Sequence, residues 1–127
     1  MARILIVDDD DNFRAMLRTM LERGGHEVTE AIHGRAAMPI VAKQPLDLAI
    51  VDLIMPEKEG METIPEIHKL RPDIKILAVS GGGRMASKDL LKMTKLLGAH
   101  KTLAKPFTRE ELDQVLLELI GPAPKKD

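Results

Sequence analysis

The sequence has 127 residues, of which 19 are basic and 20 acidic, so its formal net charge is -1. This length fits one domain around a single core, and the balanced charge supplies none of the attraction that nucleic acid or an anionic membrane would need. The chain has no cysteine and only 2% aromatic residues, which excludes a disulfide framework, a thiolate zinc site and a platform for stacking bases.

Short apolar runs alternate with helical patterns from one end of the chain to the other. Strands are predicted at residues 3–7, 27–31, 46–51, 75–79 and 101–104. Helices are predicted at 12–23, 35–43, 60–70, 86–97 and 109–120. The first, third and fourth runs are almost wholly apolar, as in parallel strands covered on both faces. The alternation predicts an α/β fold, a doubly wound five-stranded parallel sheet with helices on both faces.

Local signals refine these elements. Thr108 and Glu111 form a capping box at the start of the last helix. Pro39 and Pro65 are predicted in the opening turn of their helices or just past it, because an interior proline removes a backbone hydrogen bond. Residues 1–121 are predicted to form the domain, and 122–127 a disordered tail.

Four carboxylates, Asp8 to Asp11, follow the first predicted strand directly. Like charges this close destabilise a fold unless a cation or a helix N-terminus receives them. We expect Asp10 and Asp11 to cap the first helix, and Asp8 and Asp9 to face a positive charge.

Polar residues also follow three later strands: Asp52 the third, Ser80 the fourth and Lys105 the fifth. With strand order 2-1-3-4-5, as in flavodoxin-like sheets, the first and third strands are neighbours, and ligands bind beyond their carboxyl ends. Asp8, Asp9 and Asp52 would then converge. Three carboxylates suit Mg²⁺, and Asp52 could attack a phosphoryl donor while Ser80 and Lys105 hold its oxygens.

The remaining polar features have plainer interpretations. The four histidines share no metal spacing and are predicted to be surface or turn residues: His26, His33, His68 and His100. No GK[ST] follows the triple glycine at 81–83, so it predicts a flexible loop and not a P-loop. Met16 lies about 100° from the buried stripe of the first helix, which predicts an exposed docking residue near the acidic cluster.

The motifs VDDD, IVDLIMPEKEG, AVSGGG and LAKPF occur in this order, and the chain resembles a response-regulator receiver domain from residue 3 to about 120. The resemblance implies that Asp52 is the phosphoacceptor and Asp9 a direct Mg²⁺ ligand. It also implies that Asp8 acts on the ion largely through water and that the Ile54 carbonyl is a further ligand.

The same resemblance implies that Ser80 is the switch hydroxyl and that Lys105 is the lysine of a KPF motif, followed by a cis bond to Pro106. Receivers often carry Tyr or Phe three residues before that lysine, a ring that turns inward on activation. Thr102 stands there in this chain. We therefore expect signals to travel by loop or backbone movement.

The function implied is that of a stand-alone cytoplasmic receiver, without a signal peptide or membrane span. It would accept a phosphoryl group from a histidine kinase or phosphotransfer protein and act on an unknown downstream protein. It would perform this chemistry only on itself, and so is not a turnover enzyme. Two alternatives stay open: an Mg²⁺-dependent hydrolase with an aspartyl-phosphate intermediate, and a receiver-like interaction module that needs no phosphorylation. Ile54 occupies the position where such hydrolases place a second acid.

Overall fold

The computed structural model describes residues 2–53, 59–81, 92 and 96–121. Its elements, in chain order, are β1 (Arg3–Val7), α1 (Asp11–Arg23), β2 (Glu27–Ala31), α2 (Gly34–Lys43), β3 (Leu48–Asp52), α3 (Glu59–Leu70), β4 (Lys75–Gly81), β5 (Lys101–Lys105) and α4 (Arg109–Ile120). The helix predicted at 86–97 falls largely outside the described residues. The predicted tail, 122–127, lies wholly outside them.

The five strands form one parallel sheet in the order β2-β1-β3-β4-β5, as predicted. The central strands β1 and β3 are buried along almost their whole length and are apolar apart from Arg3 and Asp52, whereas β2 at the edge is half-buried. The chain runs from β1 outward to β2 and then returns past β1 to β3. The strand order therefore reverses between β1 and β3, which is where such sheets bind ligands.

Strands β1, β3 and β4 each contribute side chains to two hydrophobic cores, because alternate side chains point to opposite faces of the sheet. On one face, Leu5 and Val7 pack with residues of α2 and α3. On the other face, Ile4 and Ile6 pack with residues of α1 and α4. The prediction of helices on both faces is thus confirmed.

Three strands run further than predicted, and this changes the setting of the site. Asp52 is the last residue of β3, Ser80 is the next to last of β4, and Lys105 is the last of β5. The strands continue because their ladders continue: Asp52 is paired with Val79, and Lys105 with Gly81. These side chains are therefore held by strand backbone and not by loops.

The local helix predictions are confirmed. The Thr108 hydroxyl accepts from the Glu111 amide while the Glu111 carboxylate accepts from the Thr108 amide. Pro39 and Pro65 lie inside α2 and α3, in the second turn of each helix and so just past the opening turn. Although Pro39 cannot donate an intrahelical bond, the buried face of α2, with Ala37 and Val41, continues across it.

One histidine departs from the prediction, since His26 is buried with only 9% of its surface exposed. His68 and His100 are exposed and His33 is the half-buried N-cap of α2, as predicted for surface or turn residues. Nδ1 of His26 accepts a hydrogen bond from the Ala2 amide at 3.2 Å. In the same way, Nδ1 of His33 accepts from the Ala36 amide at the start of α2, and Nδ1 of His100 accepts from the Ile76 amide. These rings stand in for carbonyl groups, a role that sequence spacing does not reveal.

Two of these histidines predict that the free energy of unfolding falls with pH before the pH is low enough to protonate the carboxylates. Burial, and secondarily the nearby N-terminal amine, lowers the pKa of His26, and burial with Lys75 and His68 lowers that of His100. The unfolded chain therefore takes up protons first, so this stability is complete above about pH 6.5 and is lost as the pH falls below it.

We expect the free energy of unfolding, measured by denaturant titration, to fall between about pH 7.5 and pH 5.5. His26→Gln keeps a hydrogen-bond acceptor that does not titrate, and should flatten part of this slope. An identical slope in the wild type and His26→Gln would contradict the assignment.

Candidate functional site

The carboxyl edge of the sheet collects side chains that are far apart in the chain. Asp8 follows β1 directly, and Asp52 and Lys105 end β3 and β5. Ser80 lies half-buried near the end of β4, opposite Ala104 of β5. All four strands run in parallel, so their carboxyl ends meet at one edge. The sequence prediction that these residues face one site is thus matched by their placement.

The ammonium of Lys105 lies between two buried carboxylates. Its Nζ is 2.8 Å from Oδ2 of Asp8 and 3.2 Å from Oδ2 of Asp52. The two aspartates are only 1% and 6% exposed. Burial alone would lower the pKa of Lys105, but hydrogen bonds and attraction from Asp8 and Asp52 outweigh it and raise that pKa. Lys105 is therefore the positive charge that the acidic run requires in the metal-free fold.

The ammonium also lies 3.8 Å from the ring centroid of Phe13, in a cation–π contact. Phe13 meets Phe107 edge to face, with ring centroids 5.8 Å apart. The sequence has only two phenylalanines, and both lie beside this lysine. The helical pattern identified Phe13 as a packing residue and missed this contact. The sequence signal that could have indicated this contact is the position of Phe13, five residues after Asp8.

Asp8 is held through both its backbone and its side chain. Its amide donates to the Ala31 carbonyl at 3.1 Å, and its carbonyl accepts from Nη1 of Arg14 at 2.7 Å. Its Oδ1 accepts from the Asp10 amide at 2.9 Å, while Oδ2 takes the bond from Lys105. Sequence reasoning did not identify Arg14, because nothing local shows that its guanidinium reaches the peptide that follows β1.

Asp10 and Asp11 belong to the helix and not to the site, as predicted. Oδ1 of Asp10, the N-cap of α1, accepts from the amides of Asn12 and Phe13 at 3.0 and 3.1 Å. Asp11, in the first turn, pairs with Arg14. The acidic run is therefore divided, with its second half stabilising the helix start.

Asp8, Asp9 and Asp52 can each bring one carboxylate oxygen within 4.8 Å of the other two. In the described part of the chain, this is the one group of three or more histidine or acidic side chains close enough to share an ion. Hard oxygen donors of this kind fit Mg²⁺. The predicted fourth ligand, the Ile54 carbonyl, lies outside the described residues.

Two further expectations concern β5. The Lys105–Pro106 bond is cis, as the resemblance implied. Thr102, which stands in place of an aromatic residue, is half-buried and pairs with Ala78 of β4. Both phenylalanines of this chain lie instead at the carboxyl edge, with Lys105.

Sequence comparison identifies a family for the whole domain. A sequence model described as "Response regulator receiver domain" matches residues 4–117. The chain is 38% identical over 117 residues to the DNA-binding transcriptional regulator NtrC of Azospirillum brasilense, covering 91% of this chain but only 23% of that protein. It is 35% identical over 115 residues to the chemotaxis protein CheY of Thermotoga maritima, covering 90% of this chain and 93% of CheY.

Structural comparison agrees. The crystal structure of the chemotaxis protein CheY4 of Vibrio cholerae superposes with a TM-score of 0.85 at 30% identity, covering 94% of this chain and 99% of that one. Among the residues that the structure describes, no helix is both long and apolar enough to cross a membrane.

The position of Lys105 generates a stability prediction. Lys105→Met leaves two buried carboxylates without their shared cation, and removing one partner of a buried pair costs about 3 kcal/mol or more. Lys101→Met is the matched control on the same strand, since Lys101 pairs with Glu118 where both side chains are exposed. That change should cost less than about 1 kcal/mol.

Denaturant titration at neutral pH measures both effects. Adding Asp8→Asn to Lys105→Met should restore part of the loss, because it removes one of the repelling charges. Equal destabilisation by the two lysine substitutions would show that Lys105 does not neutralise the edge.

Proposed function

The chain belongs to the response-regulator receiver domain family, and from this we propose that it accepts a phosphoryl group on Asp52 and thereby changes its affinity for another protein. The observation that carries the proposal is the lysine bridge, in which the Lys105 ammonium is 3.2 Å from the Asp52 carboxylate. A carboxylate beside a cation and two further acids has what phosphoryl transfer needs. It has a nucleophile, a partner for the transferred charge and ligands for a metal.

Asp52 is better suited to be the acceptor than the other two acids. Asp8 is the most buried of the three, at 1% exposed against 6% for Asp52, and it immediately follows β1 while its carboxylate holds the Asp10 amide and Lys105. Asp9 is exposed and follows β1 by two residues. Asp52, at the end of β3, lies next to both Lys105 and the acid pair.

In the proposed transfer, an oxygen of Asp52 attacks the phosphorus of a phosphohistidine. A P–O bond forms, the P–N bond breaks, and the imidazole nitrogen keeps that electron pair and takes a proton from water. The Lys105 ammonium and the Ser80 hydroxyl donate to the phosphoryl oxygens. Mg²⁺, held by Asp8, Asp9 and Asp52, would offset the negative charge on those oxygens. The donor is a histidine kinase or a phosphotransfer protein.

The modified state differs from the free state in charge. Phosphorylation replaces the single charge of Asp52 by a phosphoryl group with more charge and more acceptor oxygens. Lys105 and Ser80 are then drawn toward it. Because Thr102 has no ring to turn, we propose that this movement passes through the carboxyl end of β4.

A hydrolase of the same chemistry is the rival from another class. Such enzymes commonly place a second acid two residues after the nucleophile, whereas this chain has Ile54 there. We therefore propose that the chain reacts once and acts on itself, as a switch. Steady release of more than one phosphate per chain from a substrate would favour the hydrolase.

We propose that the start of α1 is the donor surface, the surface on which the phosphodonor protein docks. Met16 is 46% exposed, one turn beyond Phe13, which contacts Lys105. A soft apolar side chain beside the acceptor suits a helical partner that must bring its histidine close.

Loss of the acceptor should abolish modification. With Mg²⁺ and a small phosphodonor such as acetyl phosphate, intact-mass measurement should show the wild type gaining one phosphoryl group and Asp52→Asn gaining none. Asp113→Asn, which removes an exposed carboxylate of α4 that pairs with Arg109, should be labelled like the wild type. Labelling of Asp52→Asn at the wild-type level would overturn the assignment.

The donor surface can be tested separately from the chemistry. Met16→Glu should slow transfer from a phosphorylated kinase while leaving labelling by acetyl phosphate unchanged. Leu70→Glu is the matched control, because Leu70 is 48% exposed but ends α3 near the opposite edge of the sheet. This surface would be rejected if Met16→Glu slowed labelling by acetyl phosphate as much as transfer from the kinase. It would also be rejected if Leu70→Glu slowed transfer from the kinase as much as Met16→Glu does.

A further inference from the structure

A buried guanidinium contacts the backbone of the acidic pair, Asp8 and Asp9, whereas Lys105 contacts the Asp8 carboxylate. Arg14 is only 9% exposed. Its Nη1 donates to the Asp8 carbonyl at 2.7 Å and its Nε to Oε1 of Glu30 at 3.0 Å, and its Nη2 pairs with Asp11. One planar group thus joins the end of β1, the start of α1 and strand β2.

The local fold directs Arg14 to this place. Its amide bonds to the carbonyl of Asp10, the N-cap, so it lies in the first turn of α1. Side chains of a helix lean toward its N-terminus, here toward the end of β1. Glu30 then anchors the fork from β2. The pKa of Glu30 is lowered, first by its hydrogen bond from Arg18 and also by that from Arg14.

The carbonyl that Arg14 holds is part of the peptide bond joining Asp8 to Asp9. A peptide group is planar, so the direction of that carbonyl sets the direction of the Asp9 amide and of the chain at its Cα. Asp9 itself is exposed. Asp9 follows β1 and is not within it. The direction of its carboxylate is therefore set by the local backbone and not by a strand ladder.

We propose that Arg14 is a positioning residue that fixes the Asp8–Asp9 peptide and so aims the Asp9 carboxylate at the bound cation. The inference rests on the proposed function, since it concerns the Mg²⁺ that the three carboxylates would hold. Removing a group that hydrogen-bonds to metal ligands and orients them commonly lowers metal affinity by about 10- to 100-fold.

Charge and position predict opposite results for the same substitution. A cation this close to the site repels Mg²⁺, so if Arg14 acts only through its charge, Arg14→Gln should bind Mg²⁺ more tightly. If it acts by position, Arg14→Gln should bind Mg²⁺ more weakly despite the lost repulsion. Arg14→Lys keeps the positive charge. A lysine ammonium is a single point, however, and cannot donate to the separate acceptors that the guanidinium contacts. Arg14→Lys should also bind Mg²⁺ more weakly.

Arg18→Gln is the matched control. Arg18 bonds to Oε2 of the same Glu30 at 2.7 Å and to Glu22. Removing it deletes a cation of the same network without touching the bond to the Asp8 carbonyl.

The experiment titrates each metal-free protein with Mg²⁺, following backbone amide NMR shifts, and measures acetyl phosphate labelling by mass. We expect the Mg²⁺ dissociation constant to rise about tenfold in Arg14→Gln and in Arg14→Lys. It should stay within about twofold in Arg18→Gln. Saturating Mg²⁺ should restore labelling of the Arg14 variants, because the acceptor and Lys105 are intact.

Mg²⁺ binding by Arg14→Gln as tight as by Arg18→Gln, or tighter, would overturn the proposal while leaving the proposed function intact. Should Arg14→Gln fail to fold, Arg14→Lys is judged by the same comparison. A wild type that binds no Mg²⁺ and accepts no phosphoryl group would instead reject the proposed function, and this inference with it.

Discussion

The bridge from Lys105 to Asp8 and Asp52 is the interaction on which the carboxyl edge of this sheet depends. Two unit charges about 4 Å apart interact by about 4 kcal/mol at an effective dielectric constant of about 20. A whole domain is stable by only about 5–15 kcal/mol. Buried carboxylates on neighbouring strands would therefore consume much of that stability without a cation. The ammonium supplies it, from a residue 97 positions from Asp8 and 53 from Asp52.

Among the described residues, Lys105 and Arg14 both contact Asp8, and the two cations differ in geometry. Lys105 is a point charge on a flexible stem, shared between two carboxylates and the face of an aromatic ring. In the proposed function, its bonds would pass to the phosphoryl group on Asp52. Arg14 is a planar fork with several fixed acceptors on three elements. A planar group on the backbone and a flexible one on the carboxylates would let the site keep its shape if its charge changed as proposed.

The aromatic residues of this chain are also concentrated at the site. Many receivers place a ring on the fifth strand, but here Thr102 pairs with Ala78, and no tyrosine exists in the chain. The two phenylalanines lie together at the carboxyl edge, one from α1 and one after β5. The aromatic surface of this domain is thus part of the site itself. The Lys105 ammonium, which contacts both the Asp52 carboxylate and the Phe13 ring, joins this surface to the acids.

Much of this protein could be predicted from its sequence, because the deciding signals are local. Apolar runs bounded by turn residues identified the five strands, and the helical repeats, Asp10 and the capping box at Thr108 identified helix starts. The motifs at strand ends placed the acids and Lys105 at one edge. Only tertiary structure decided that Asp52 and Lys105 are the last residues of their strands, since ladder pairing with other strands extends them.

Tertiary structure alone also decided the partners of individual polar groups. His26 accepts the Ala2 amide, Arg14 reaches Glu30 across 16 positions, and Phe13 carries the Lys105 ammonium on its ring. Periodicity shows which face of an element is apolar, because that depends on the geometry of one element. Which donor meets which acceptor depends on the packing of several elements at once, and each of these contacts joins residues that no local pattern relates.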